Sequence, residues 1–127
     1  MGSNDALRLS ALPKTWIIDI DGLLVKHNGY KTEQGDMVLP GAREFLNQLG
    51  EDDMVVLITA RSEEYRKQTE SFLLDQGMRF DCIIWNAPCG ERILINDRKP
   101  SGLATAYAVN CIRDCFEGIK YYVDEAI

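Results

Sequence analysis

The sequence predicts an α/β fold in which a mainly parallel central sheet lies between helical layers (αβα). Three observations carry this. Short apolar, β-branched runs at 16–20 and 54–58 alternate with stretches of helical periodicity, an order that implies βαβ units with right-handed crossovers. The runs end in polar residues, Asp19 and Asp21 after the first and Thr59 after the second. In open sheets of this kind the ligand lies beyond the carboxyl ends of the strands.

The first strand, Trp16-Ile17-Ile18-Asp19-Ile20, reads as buried on both faces. Asp19 and Asp21 lie two apart and point to one side of an extended chain. Ionised carboxylates are costly in such a place unless a cation or strong hydrogen bonds compensate them. Gly22 frees the chain to turn and lets a ligand approach the backbone. Two readings are open for this D-x-D-G: a site for a hard cation with the phosphate it holds, or the start of a solvated turn. Residues 23–39 form a polar, glycine-bearing flap closed by Met37-Val38-Leu39.

Pro40-Gly41 starts a helix with Ala42, Phe45, Leu46 and Leu49 on one face, and Gly50 stops it. Met54-Val55-Val56-Leu57-Ile58 is the second buried strand, ending at Thr59-Ala60-Arg61. Ser62 is the expected N-cap of the next helix, with Glu63 and Glu64 in the first turn favoured by its dipole. That helix presents Tyr65, Thr69, Phe72 and Leu73 and ends by Gly77. A third strand is expected over 80–85 and a fourth at Ile93-Leu94-Ile95, which ends at Asn96-Asp97. A last helix is expected over 103–116, then a short strand at Tyr121-Tyr122-Val123.

At 127 residues the chain reads as a single domain, large enough to bury a core without metal or disulfide staples. Residues 1–12 are expected to be flexible. No apolar run approaches the roughly 20 residues a membrane span needs. The start, Met1-Gly2-Ser3-Asn4-Asp5, lacks the basic and apolar regions of a secretory signal, which predicts a cytoplasmic protein. A net charge of −6 and a pI near 4.7 argue against a general binder of nucleic acid or anionic membrane. Of the cysteines at 82, 89, 111 and 115, the last two fall one turn apart on the expected final helix and read as small buried hydrophobes. A zinc site would need further ligands, and His27, the one histidine, is far away in sequence.

The ordered set Ile17-Ile18-Asp19-Ile20-Asp21-Gly22, then Val56-Leu57-Ile58-Thr59, then Leu94-Ile95-Asn96-Asp97 resembles the haloacid dehalogenase-like (HAD) phosphohydrolase superfamily, over roughly residues 15–115. The resemblance implies a three-layer, Rossmann-like core and a Mg2+-dependent phosphatase. Asp19 is then the nucleophile that becomes an aspartyl-phosphate, and Asp21 the acid and base. Thr59 holds a phosphoryl oxygen. Asp19, the Asp21 carbonyl and Asp97 hold Mg2+. A lysine that neutralises nucleophile and phosphate also belongs to the pattern; Lys99, nearest the acidic strand end, is favoured, with Arg92 and Lys67 as alternatives. Gly22, Ala60, Arg61 and His27 are the expected substrate contacts, although His27 reads equally as an exposed histidine without a role. The chain departs from the family at the acidic motif, where Asn96 precedes Asp97 and Ser101 stands four residues after it.

The intervals 22–40 and 59–93 are too short for a large cap domain, so the expected site is open. Capless members of the superfamily act on macromolecules or borrow a lid from a neighbouring subunit, which makes a homo-oligomer an expected partner. Lys26, His27, Lys31, Arg61, Arg98 and Lys99 form a candidate basic rim for a small phosphorylated substrate, expected to be a sugar phosphate or related metabolite. Two rivals stand beside this. One keeps the chemistry on a polynucleotide 3′-phosphate or phosphoprotein, where the acidic charge and the lack of aromatic-basic stretches disfavour nucleic acid. The other is a non-catalytic binding domain that keeps the fold.

Overall fold

The computed structural model describes residues 6–127. The part of the expected flexible start that covers residues 1–5 lies outside the described residues, and Leu7–Leu9 forms a strand. The chain divides into two compact units, each described by itself. The larger comprises Leu12–Pro88 and Cys111–Ile119; the smaller comprises the described part of Met1–Ala11 with Cys89–Asn110 and Lys120–Ile127.

The larger unit holds a parallel sheet of β2 (Thr15–Asp19), β3 (Met54–Ile58) and β4 (Cys82–Ile84), in that order. Its parallel strands fit the α/β class. Thr15 pairs with Met54 and Asp19 with Ile58, so β2 and β3 run in register to the same end. Helix α1 (Ala42–Asn47) follows β2, and α2 (Arg66–Asp75) follows β3 after a 3-10 turn at Glu63–Tyr65. The expected face of α1 is the buried one: Ala42 and Leu46 are sealed, and Phe45 and Leu49 nearly so. Phe45 meets Trp16 of β2 edge-to-face at 6.0 Å and Phe116 at 5.3 Å. Helix α2 buries Thr69 and Leu73. It ends as expected at Gly77, whose φ of 69° takes the left-handed turn. Gly77 N–H donates to the Leu74 carbonyl and Met78 N–H to that of Leu73, which closes the helix with a Schellman motif. Arg43 Nη2 donates to Gln76 Oε1 at 2.8 Å and ties α1 to the end of α2.

The strands are covered on one face rather than two. Trp16 and Ile18 of β2 share a face with Val55 and Leu57 of β3, and that face is the buried one. Ile17, Met54 and Ile84 stand on the opposite face and are 53%, 51% and 46% exposed. The expectation that the first strand is buried on both sides is therefore corrected. The expected helix over 103–116 is not formed either, and among the described residues that stretch is irregular. A short amphipathic helix is marginal in water and forms only against a surface that accepts its apolar side. Around 103–116 only Phe116 is buried.

In the smaller unit β1 (Leu7–Leu9) pairs in parallel with β5 (Tyr121–Val123), the short strand expected there. The expected fourth strand at Ile93-Leu94-Ile95 is not formed, and these residues are 80%, 56% and 90% exposed. A doubly buried strand needs covered faces and paired edges, and no described residue of this unit is buried. The cysteines correct another expectation: Cys111 and Cys115, like Cys82 and Cys89, are exposed. Among the described residues no helix is long and apolar enough to cross a membrane.

Candidate active site

The carboxyl ends of β2 and β3 bring together a closed polar cluster. β2 ends at Asp19, and Ile20 N–H still reaches the Ile58 carbonyl of β3. The chain then turns through Gly22, with φ 81°, and Leu24 and Val25 N–H both return to the Ile20 carbonyl. That tight turn holds Asp21 opposite the end of β3. There Thr59 Oγ1 donates to Asp21 Oδ2 at 2.7 Å, and Arg61 N–H donates to the same hydroxyl at 3.1 Å. The 59–61 segment is itself stitched to the chain after β4: Thr59 N–H bonds the Ile84 carbonyl, Asn86 N–H that of Arg61, and Ala87 N–H that of Thr59.

Arg61 is the centre of the cluster and is 2% exposed. Its Nε and Nη2 donate to Asp21 Oδ1 at 3.0 and 2.8 Å. Its Nη1 and Nη2 fork onto Asp36, to Oδ2 at 2.9 Å and Oδ1 at 2.7 Å. The remaining Nη1–H reaches Thr69 Oγ1 of α2 at 2.8 Å. All five donors of the guanidinium are therefore engaged. Burial works against its charge, but the hydrogen bonds it donates to Asp36 and Asp21, with their negative charges, outweigh that and hold its pKa above the ordinary arginine value. The plane of Arg61 also lies 4.0 Å over the ring of Tyr30, which meets Tyr65 edge-to-face at 4.8 Å.

Asp36 and Tyr30 belong to the flap. Val25 bridges Val38 antiparallel, Lys26 N–H bonds the Met37 carbonyl, and a 3-10 turn forms at Gly29–Lys31. The flap is therefore hairpin-like at its base, as its sequence suggests. Beside that base the flap is fastened to the end of β3 by the Asp36–Arg61 ion pair.

The segment 111–119 closes the other side of the Gly22 turn. Asp114, itself at φ 60°, donates its N–H to the Gly22 carbonyl and accepts His27 N–H on Oδ1, both at 2.8 Å. A Cβ on Gly22 would lie 3.2 Å from Arg113 Cγ and 3.7 Å from His27 Cβ, so glycine is needed for space as well as for φ.

Of the expected site residues, Asp21, Thr59 and Arg61 are brought into direct contact, with Asp19 and Ala60 adjoining them in the chain. Gly22 and His27 meet at the turn. Asp97 and Lys99 belong to the smaller unit, where both are exposed and neither ends a strand. Asn96 spends its amide on Thr105, with Nδ2 donating to the carbonyl at 3.1 Å and to Oγ1 at 3.0 Å. Among the described residues no three His, Cys, Asp or Glu side chains group as a set of metal ligands. Ser62 stands at the N-cap position of the 3-10 turn that leads into α2, as expected, but its side chain makes no capping bond: Oγ donates to Glu64 Oε1 at 3.0 Å.

Sequence reasoning missed Asp36, Tyr30, Thr69, Arg113 and Asp114. Only Asp36 carried a signal, as an acid at the end of a polar flap opposite an arginine that must be compensated if buried. No protein-family model, curated protein or solved structure matches the chain.

Proposed function

We propose that the chain is a Mg2+-dependent phosphomonoester hydrolase of the haloacid dehalogenase-like type, acting through an aspartyl-phosphate on a sugar phosphate or related small metabolite. The observation that carries the reading is the 2.7 Å hydrogen bond from Thr59 to Asp21, which joins the ends of two parallel strands at the acid pair. A hydroxyl and two acids at one strand end suit phosphoryl transfer better than a solvated turn, because a turn in water has no need of a buried arginine.

In the first step an oxygen of Asp19 attacks phosphorus. The new O–P bond forms as the ester P–O bond breaks, and Asp21 gives its proton to the departing alkoxide. In the second step water attacks the same phosphorus, Asp21 takes the water's proton, and phosphate leaves with Asp19 restored. Every hydrogen bond to Asp21 in this structure is donated to it, the state suited to taking a proton in the second step. Thr59, whose hydroxyl donates to Asp21 here, is the donor proposed for a phosphoryl oxygen.

The groups here that could ligate a metal are carboxylate and carbonyl oxygens, with two carboxylates against one guanidinium, a donor type that suits a hard cation. Mg2+ would be held by the Asp19 carboxylate, the Asp21 carbonyl and waters, and would supply neutralisation of the transferring phosphoryl charge. Asp97 and Lys99 take no part in the steps above.

The finer fold that goes with this reading is three-layer αβα and Rossmann-like; the parallel order of β2, β3 and β4, with α1 and α2 in the two connections, supports it. A cytoplasmic location and a homo-oligomer that lends a lid complete the reading. A non-catalytic binding domain is the second reading, and the saturation of Arg61 and of both Asp21 oxygens favours it.

Phosphate release from sugar phosphates and aryl phosphates, with and without Mg2+, separates the two. Turnover by the wild type that disappears in Asp19→Asn supports the hydrolase. No turnover on any of them, with no Mg2+-dependent binding of a phosphate analogue, leaves the binding domain.

A further inference from the structure

Two of the five N–H groups of Arg61 are held in a different way from the rest. Those that face Asp21 and Thr69 tie the guanidinium to the β2 turn and to α2, both parts of the packed core. Those that face Asp36 form an end-on fork from Nη1 and Nη2 onto both oxygens of one carboxylate. This fork is also the arrangement by which arginine holds a phosphate monoester. Asp36 comes from the flap, whose other fastenings near its tip are the stacking of Tyr30 on Arg61 and the contact of Tyr30 with Tyr65.

We propose that Asp36 is a built-in plug on an anion-binding arginine: it occupies the fork of Arg61 and latches the flap, and a phosphate group displaces it and frees the flap. This rests on the phosphoryl-binding reading above. The exchange is of one anion for another on the same fork. Arg61 at 1% side-chain exposure faces Asp21 at 15% and Asp36 at 3%, so the cluster buries one more negative charge than positive. Release of Asp36 returns that carboxylate to water, while Arg61 stays positioned by Asp21 and Thr69. The fork it then presents is preorganised for the incoming anion.

The test uses the full chain, inorganic phosphate as the probe and hydrogen exchange of the flap amides as the readout, with β3 amides as internal reference. In the wild type, phosphate raises exchange over 26–39 relative to chloride at equal ionic strength. In Asp36→Asn the flap exchanges fast without phosphate, and phosphate binds about tenfold or more tighter, as expected when a competing charged fork is removed. Equal phosphate affinity in wild type and Asp36→Asn overturns the proposal, including the case in which neither binds. If the variant loses protection in β3 and so does not fold, the wild-type arm decides: flap exchange unchanged or slowed by phosphate overturns it. Turnover of aryl phosphate is read separately. Hydrolysis with equal affinities keeps the enzyme and removes the plug, whereas tighter binding without hydrolysis keeps the plug and removes the enzyme.

Discussion

The two units treat their apolar side chains in opposite ways. In the larger, Ile20, Leu24, Leu46, Leu57 and Leu73 are wholly out of water, and a buried arginine is matched donor by donor. In the smaller, Ile93, Leu94, Ile95, Tyr107 and Val109 are all exposed. Its regular structure is one pair of short parallel strands, with an Arg8–Asp124 pair at 2.9 Å on the surface. An exposed ion pair adds little, and two strands alone are marginal in water. The contrast teaches that apolar content does not make a core: the same residue types stabilise only where helices and strands close over them. Local opening should follow that division, with low cost where burial is absent and high cost where it is complete.

The sharpest way to break the comparison is at Arg61. Arg61→Ala leaves Asp21 and Asp36 without their cation, and a loss of about 3–5 kcal/mol is expected in denaturant unfolding, as for a broken buried pair. A loss below 1 kcal/mol would mean that the cluster is not the closed network described. Next comes Leu46→Ala, at a site with no exposure, where about 2–5 kcal/mol is expected from lost transfer energy and the cavity left behind. Urea midpoints measured for both variants place them on one scale.

A smaller effect is expected from acid. Asp53 pays for its partial burial but accepts the Trp16 indole N–H at 2.9 Å, the Lys14 N–H at 2.9 Å and the charge of Lys14, which together hold its pKa below the ordinary value. A carboxyl depressed on folding contributes stability that is present above its unfolded pKa, about 3.9, and is lost as pH falls through the lower folded value. Trp16 fluorescence followed from pH 5 downwards should therefore report a destabilisation below about pH 4 that Asp53→Asn flattens. Asp124 of the smaller unit is shifted the same way, by the Ala126 N–H and by Arg8. Its pair is open to water, so added salt should weaken the Arg8 part of the Asp124 contribution and leave that of Asp53 less affected. The smallest effect is expected at Ile95→Ala. With 90% exposure it should change stability by less than about 0.5 kcal/mol. A loss of 2 kcal/mol there would show that the smaller unit has a core after all.

Several elements were legible before any coordinates. The buried face of α1 follows from the spacing of Ala42, Phe45, Leu46 and Leu49, because helical periodicity is a local property. Gly77 announced its stop because a left-handed residue there is cheap only for glycine. The run Ile93-Leu94-Ile95 misled for a related reason: an apolar triplet signals a strand only if something covers it. The end of the chain over 103–116 likewise carries helical spacing without a surface to receive it.

The sequence by itself determined that two acids and a threonine stand at the ends of successive strands, since β-branched runs and their polar endings are read within a few residues. Only the tertiary structure decided that Arg61 is the cation that pairs with Asp21 and with Asp36 of the flap. Its partners Asp36 and Asp21 lie 25 and 40 positions away along the chain, and no local rule selects among the basic residues Arg61, Arg92, Lys67 and Lys99. The choice comes from burial. One guanidinium, closed over by α2 and the flap, must satisfy five N–H groups at once, and Asp21, Asp36 and Thr69 are the acceptors that the fold delivers there.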